Sequence, residues 1–225
     1  MFPYLHYSSI KRLCDVLLAA FLILLLLPIF LITILSLPFQ SPGPIFYQAS
    51  RAGLHGTEFI MFKFRSMTVR KEHGSLITGP NDSRVFPFGS FLRLSKIDEL
   101  PQLWNILIGD MSFVGPRPED PFIVSKYYDA DMLKTLTVRP GLTGPGSIFG
   151  YLCSDFLLDD CSPEESYVSC LLVPKLSYER YYVDHLNIID DFRFLCITPV
   201  VILLTALRFP LRLPRWIKSY PEMSS

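Results

Sequence analysis

The sequence carries no surplus of charge of either sign: 21 Lys and Arg stand against 21 Asp and Glu over 225 residues. A nucleic-acid-binding chain needs a basic excess, so nucleic acid is not expected as a partner. Charge is also scarce, at 19% of residues, while half the chain is hydrophobic; that excludes disorder as the general state. There is no CxxC pair. The five cysteines, Cys14, Cys153, Cys161, Cys170 and Cys196, are odd in number. Neither a zinc site nor a disulfide framework is suggested, and reduced thiols place the soluble part in the cytosol. No internal repeat or low-complexity tract is present. The length suits one domain or one and a half. A mean hydropathy of +0.33 is high for a purely soluble protein. The apolar residues are not spread evenly, however, which argues against a multi-span transporter.

The longest uncharged stretch runs from Val16 to Ser50, and Val16–Ile32 is apolar throughout. The run exceeds a signal-peptide core, and no small-residue cleavage site follows it. A straight helix over Val16–Leu37 would reach ~33 Å, enough to cross a bilayer core. Pro28 interrupts it, removing a backbone donor and forcing a kink. Three shapes remain: a kinked span, a re-entrant hairpin, or a core helix of a soluble protein. Lys11 and Arg12 precede the segment; Arg51, Lys63, Arg65, Arg70 and Lys71 follow it. Basic flanks belong in the cytoplasm, and only a hairpin puts both there. A second apolar stretch, Phe194–Leu207, contains Pro199 and is short for a span. Arg208, Arg212, Arg215 and Lys218 then alternate with apolar and aromatic residues, the composition of a segment lying on an anionic membrane surface.

Ser41-Pro42-Gly43-Pro44 opens a linker. Phe59–Met67 alternates as a strand with Lys63 and Arg65 on one face, and Phe46 and Tyr47 can supply its hairpin partner across Gly53–Gly56. Lys71–Phe88 reads as a loop. Leu100, Leu103, Trp104, Leu107 and Ile108 follow at helical spacing. Pro101 belongs in a first helical turn, which places Asp98 near the N-cap and Asp98-Glu99 at the positive end of the helix dipole. Ordinary capping explains an Asp there as well as catalysis does. Arg117, fixed between Pro116 and Pro118, suits phosphate recognition, or covers a helix end. Arg139-Pro140-Gly141-Leu142-Thr143-Gly144 can offer backbone N–H groups to an anion. Gly150–Val173 reads as a polar insertion whose acids, Asp155, Asp159, Asp160, Glu164 and Glu165, are a solvated surface before they are a cation site. Tyr178, Tyr181 and Tyr182, in a helical Leu176–Val183, suit a membrane interface or a stacking surface.

Taken together, KRLCDVLLA from Lys11, SPGPIFYQ from Ser41, KFRSM from Lys63, SKIDELPQLWNILIGDMSFVGPRPE from Ser95, RPGLTG from Arg139 and KLSYERYYV from Lys175 resemble the bacterial sugar transferases, the monotopic phosphoglycosyl transferases. The motifs occur in the family's order across residues 11 to about 183. The resemblance implies an α/β fold, mostly helical with a small β-hairpin. It implies three segments: a re-entrant membrane helix over 1–40, broken at Pro28; a cytoplasmic catalytic domain over 41–193; and a membrane-surface segment over 194–225, with amphipathic helices at the interface.

The implied reaction moves a sugar 1-phosphate from a UDP-sugar to polyprenyl phosphate and releases UMP, at the cytoplasmic face of the bacterial inner membrane. It initiates exopolysaccharide, capsule or O-antigen synthesis. Asp98 maps to the nucleophile and Glu99 to a supporting acid/base or metal-positioning group, with Asp98 and Glu99 the expected Mg²⁺ residues. Lys63, Arg93, Arg117 and Arg139 are the expected phosphate-binding cations. A homodimer and downstream glycosyltransferases are the further partners the resemblance allows. Departures stand at Leu27, where the family often has Ser before the proline, and at Ser147 and Tyr151, where it usually has Gln and Arg. They keep open an alternative, a non-catalytic membrane scaffold of a glycosyltransferase complex.

Overall fold

The computed structural model describes residues 2–68, 82–157, 167–207 and 209. Two apolar helices come first, α1 (Phe2–Leu25) and α2 (Leu27–Gln40), bent by 60° at Leu26. Pro28 sits in the first turn of α2, where its missing N–H costs nothing. The chain therefore breaks just before the proline. No single helix among the described residues is long and apolar enough to cross a membrane; the bent pair together is. Beyond Asp15 its surface is apolar and open, Leu24 and Phe39 being 72% and 89% exposed.

The polar half of α1 is tied to the domain instead. Lys11 Nζ and the Tyr7 hydroxyl donate to Asp191 Oδ2 at 2.8 and 2.6 Å, and the Tyr182 hydroxyl donates to Asp191 Oδ1 at 2.6 Å. Asp15 accepts the Phe113 N–H at 3.2 Å.

The expected hairpin is present. β1 (Phe46–Ala52) pairs antiparallel with β2 (Glu58–Phe64), Phe46 opposite Phe64 and Tyr47 opposite Lys63. Phe64 stacks on Phe46 at 5.4 Å and meets Phe30 of α2 edge-on at 5.6 Å, so the hairpin packs on the helix pair through aromatic rings. Arg65 does not share an open basic face with Lys63. It is buried and donates to the carbonyls of Pro44 and Pro42 at 2.6 and 2.8 Å and to Ser41 Oγ at 3.0 Å. The linker leaving α2 is thereby fastened to the end of β2.

α3 (Pro87–Leu94), a 3₁₀ turn (Ile97–Glu99) and α4 (Gln102–Ile108) follow. β3 (Ser112–Val114) then pairs in parallel with β4 (Gly141–Thr143), Val114 opposite Thr143. The RPGLTG segment is therefore a buried strand rather than an open anion loop. Its glycines permit backbone to touch backbone: a Cβ on Gly115 would overlap the Arg139 carbonyl and the Gly141 nitrogen.

α5 (Pro121–Tyr127) separates the two strands. α6 (Pro145–Leu157), α7 (Val173–Asp184) and α8 (Ile188–Ala206) close the domain. α8 runs through residue 193, so the expected start of a third segment at 194 falls inside one helix. Tyr178 and Tyr182 are core residues, 8% and 1% exposed, and do not face a membrane interface. Cys14 and Cys196 are free thiols. The acids expected to line a polar insertion, and the basic residues 208, 212, 215 and 218, lie outside the described residues or side chains.

Candidate active site

The first structural correction concerns Asp98. Pro101 stands at the N-cap of α4, not inside it, and Asp98 and Glu99 occupy the preceding 3₁₀ turn. Asp98 makes no capping bond. It is 6% exposed, and its Oδ1 is buried without a hydrogen-bond partner. A partnerless buried carboxylate oxygen is costly, so ordinary capping no longer accounts for this residue.

The turn lies at the base of a cleft of about 970 Å³, which Lys63, Arg93, Lys96 and Arg117 also line. Each cation comes from a different element. Lys63 projects from β2 and donates to Glu99 Oε1 at 2.9 Å. Arg117, from the loop after β3, reaches the same oxygen at 3.7 Å. Its backbone N–H donates to Glu179 Oε1 on α7 at 2.9 Å, which fixes the Pro-Arg-Pro turn. Arg93, on α3, contacts the Met67 sulfur at 3.6 Å. The cleft is thus a ring of cations around two adjacent carboxylates, suited to an anionic substrate.

The two carboxylates are pushed apart electrostatically. Burial and the neighbouring Glu99 charge raise the Asp98 carboxyl to about 6, against the pull of Lys63, Lys96 and Arg93. Burial also disfavours the Glu99 carboxylate, but Lys63, Lys96 and Arg117 outweigh it and hold Glu99 ionised, well below its usual range. Unlike fates for neighbouring acids are a mark of divided roles.

Arg139 is not brought to the cleft. Its Nε donates to the Gly109 carbonyl at 2.8 Å, beyond the far end of α4. Arg12 joins it there, donating to the carbonyls of Ile106 and Leu107 at 2.6 and 2.9 Å. The last carbonyls of α4 lack intrahelical partners, and two guanidinium groups supply them.

Three site features escaped sequence reasoning. Asn105, fully buried on α4, accepts the Phe62 N–H at 3.0 Å and donates to the Ile60 carbonyl at 2.7 Å. It acts as a substitute strand beside β2 and sets Lys63 next to Glu99. Gln102 lines the cleft with a buried, partnerless side-chain nitrogen. Lys96 enters through an unusual backbone conformation. The Asn and Gln lie within the DELPQLWN motif, which was their only signal.

A family model described as bacterial sugar transferase matches residues 6–205. The chain belongs to that family. A UDP-glucose:undecaprenyl-phosphate glucose-1-phosphate transferase of Xanthomonas campestris pv. campestris is 36% identical over 202 residues, 88% of this chain and 40% of that protein. A UDP-N-acetylgalactosamine-undecaprenyl-phosphate N-acetylgalactosaminephosphotransferase of Aeromonas hydrophila is 39% identical over 142 residues, 61% of this chain and 33% of that protein. EpsL of Bacillus subtilis (strain 168), named an uncharacterized sugar transferase, is 35% identical over 193 residues, 84% of this chain and 85% of that protein. The chain thus spans well under half the length of the first two relatives and most of the third.

Proposed function

We propose that this chain is a membrane-bound phosphoglycosyl transferase that moves a sugar 1-phosphate from a UDP-sugar to polyprenyl phosphate, releasing UMP. The observation that carries the reading is the buried Asp98 carboxylate, its Oδ1 without a partner, in a cleft also lined by Lys63, Arg93, Lys96 and Arg117, in a chain of this family. The names of the similar proteins supply the substrate classes.

Asp98 attacks the sugar-bearing phosphorus of the donor. A bond forms between its carboxylate oxygen and that phosphorus, and the bond to the bridging diphosphate oxygen breaks. UMP leaves with that oxygen, and a phosphosugar remains on Asp98. An oxygen of polyprenyl phosphate then attacks the same phosphorus and restores the free carboxylate. Both steps bring anion to anion, so Lys63, Arg93 and Arg117 act by neutralising charge that grows on the transferring group. Glu99, held ionised, keeps Lys63 and Arg117 in place. The free amide of Gln102 adds a neutral donor.

Mg²⁺ is proposed as the cofactor. No cluster of three or more His, Cys, Asp or Glu side chains suited to a metal occurs among the described residues. Mg²⁺ commonly takes one or two carboxylates and completes its shell with substrate phosphates and water. The orphaned Asp98 oxygen fits such a role, with Glu99 beside it. When bound, the ion would offset the charge of the diphosphate.

The bent helix pair is proposed as a re-entrant hairpin in the bacterial inner membrane. Its apolar outer surface supports this reading, as do the basic residues on both flanks. The domain then faces the cytoplasm, where the UDP-sugar is, and the lipid phosphate meets the cleft at the membrane surface.

The test is UMP release by the full chain in lipid nanodiscs with polyprenyl phosphate, Mg²⁺ and a panel of UDP-sugars headed by UDP-glucose and UDP-N-acetylgalactosamine. Release that is lost in Asp98→Asn and on EDTA treatment is the expected result. Release by Asp98→Asn at the wild-type rate overturns the assignment. No release with any sugar from the folded chain returns the reading to a scaffold.

A further inference from the structure

Lys96 is the C′ residue of α3: Ser95 closes the helix and Lys96 follows with φ 59° and ψ 16°. This left-handed conformation crowds a Cβ against the backbone, and glycine, sometimes asparagine, ordinarily occupies it. Among the described non-glycine residues, only His55 shares a positive φ. A lysine here costs backbone strain that glycine would avoid. Strain of this kind persists where the side chain is needed.

The side chain is aimed at the cleft, which Lys96 lines beside Asp98 and Glu99. Its ammonium lies 4.2 Å from the centre of the Tyr151 ring on α6. Among the described residues it has no carboxylate within ion-pair distance; Glu99 is taken instead by Lys63 and Arg117. Glu99, Arg117, Asp98 and Arg93 are the charges that act on it. Arg117 lies near the hydroxyl of the same Tyr151. Tyr151 therefore carries Lys96 on its ring face, with Arg117 near its hydroxyl. A cation held by an aromatic face keeps its hydrogen-bond donors free for an incoming oxyanion.

We infer that Lys96 is a further phosphate-binding residue of the cleft, and that Tyr151 is the positioning residue that aims it at a substrate phosphate. The ligand chemistry is a phosphate oxyanion, brought by the nucleoside diphosphate of the donor or by the lipid phosphate of the acceptor. The inference rests on the reading of the cleft as a phosphoryl-transfer site.

The experiment uses the full chain in nanodiscs. Binding of inorganic pyrophosphate is measured by calorimetry, and KM for the UDP-sugar and for polyprenyl phosphate is measured by UMP release. The variants are Lys96→Gly, Lys96→Arg and Tyr151→Leu. Lys96→Gly relieves the backbone, so its melting temperature should match or exceed that of the wild type while pyrophosphate affinity falls fivefold or more. Lys96→Arg should recover most of the affinity, and Tyr151→Leu should lie between. A raised KM for the UDP-sugar alone names the donor as the phosphate source; a raised KM for polyprenyl phosphate alone names the acceptor. Lys96→Gln, which keeps the stem against Tyr151, replaces the glycine variant if that one proves unstable.

Unchanged pyrophosphate affinity in Lys96→Gly and Lys96→Gln overturns the inference, as does a wild-type chain that binds no pyrophosphate. If the wild type binds pyrophosphate yet releases no UMP, the proposed reaction fails. The affinity comparison then decides the role of Lys96 by itself.

Discussion

Replacing Lys63 by Met should displace the acidic limb of the pH profile of UMP release toward higher pH. Lys63 Nζ and Glu99 Oε1 are 2.9 Å apart, with side chains 17% and 9% exposed. Two unit charges at that distance attract by about 6 kcal/mol at an effective dielectric of ~20. Desolvation takes much of this back, yet removing one partner of a buried pair still costs ~3–5 kcal/mol. Arg117, 3.7 Å from the same oxygen, keeps Glu99 partly compensated and places the loss near ~3 kcal/mol. Lys63 is also the foremost charge opposing the rise of the Asp98 carboxyl to about 6.

As the proposed nucleophile, Asp98 must be ionised to attack, so activity falls as pH drops through its pKa. A tenfold change in the proton affinity of a carboxylate corresponds to ~1.4 kcal/mol. If about half the lost interaction is expressed at Asp98, the limb moves up by about one pH unit, and kcat/KM at neutral pH falls ~100-fold. Glu99→Gln should do the reverse to the limb. It removes the like charge that raises Asp98, so the limb moves below its wild-type position. Both profiles are read at one fixed Mg²⁺ concentration against wild type. Limbs that stay in place in both variants, with only KM altered, would refute the electrostatic coupling of Lys63 and Glu99 to Asp98.

Other outcomes follow from the same contacts. Lys175 and Glu119 form an ion pair, both buried, and the Tyr167 hydroxyl donates to Glu119 at 2.6 Å. Lys175→Met should lower stability by ~3–5 kcal/mol in a denaturant titration, because it strands the Glu119 charge. Burial raises the Glu179 carboxyl to about 7, against Lys175 and the Arg117 N–H. Its protonated form stabilises the fold below the unfolded value of 4.5, and that contribution is lost as pH rises through about 7. The melting temperature of wild type relative to Glu179→Gln should therefore fall between pH 5 and pH 8. Gly115→Ala should destabilise by ~1–3 kcal/mol, since its Cβ would meet the Arg139 carbonyl, and thermal melts against wild type measure this. Single cysteines at Ser8 and Gln40, in a chain whose native cysteines are replaced by serine, should react with a membrane-impermeant thiol reagent from the cytoplasmic side only. Labelling of Ser8→Cys from outside would mean that the bent pair spans the bilayer.

The parts of the fold legible in the sequence are those set by local chemistry. Alternation in Phe59–Phe64 and the turn at Gly53–Gly56 specify the β1–β2 hairpin. Pro28 and the uncharged run specify a broken apolar helix. Asp98, Glu99, Lys63, Arg93 and Arg117 line one cleft, and all but Arg93 stand in the quoted motifs. What was not legible depends on long-range packing. Arg139 reads as a phosphate clamp until the α4 carbonyl at Gly109 claims it. Tyr178 and Tyr182 of α7 read as interfacial or stacking residues until the fold buries both and Asp191, on another helix, takes the Tyr182 hydroxyl. Pro101 marked a helix start correctly in kind, but the N-cap is Pro101 itself and not Asp98, because a 3₁₀ turn intervenes and frees Asp98 from capping. Lys96 gave no sign, since a residue's left-handed backbone leaves no mark in composition when that residue is not glycine.

The central claim is that Asp98 carries the sugar phosphate between donor and acceptor. The most direct measurement is the mass of the Asp98 peptide after the nanodisc-embedded chain is incubated with its UDP-sugar and Mg²⁺ in the absence of polyprenyl phosphate, quenched in acid and digested. The account predicts a gain of one sugar phosphate on that peptide, with one UMP released per chain, both lost in Asp98→Asn, and discharge of the adduct when polyprenyl phosphate is added. UMP release that requires both substrates at once, with no adduct on Asp98, would contradict it and point to direct transfer between the two phosphates.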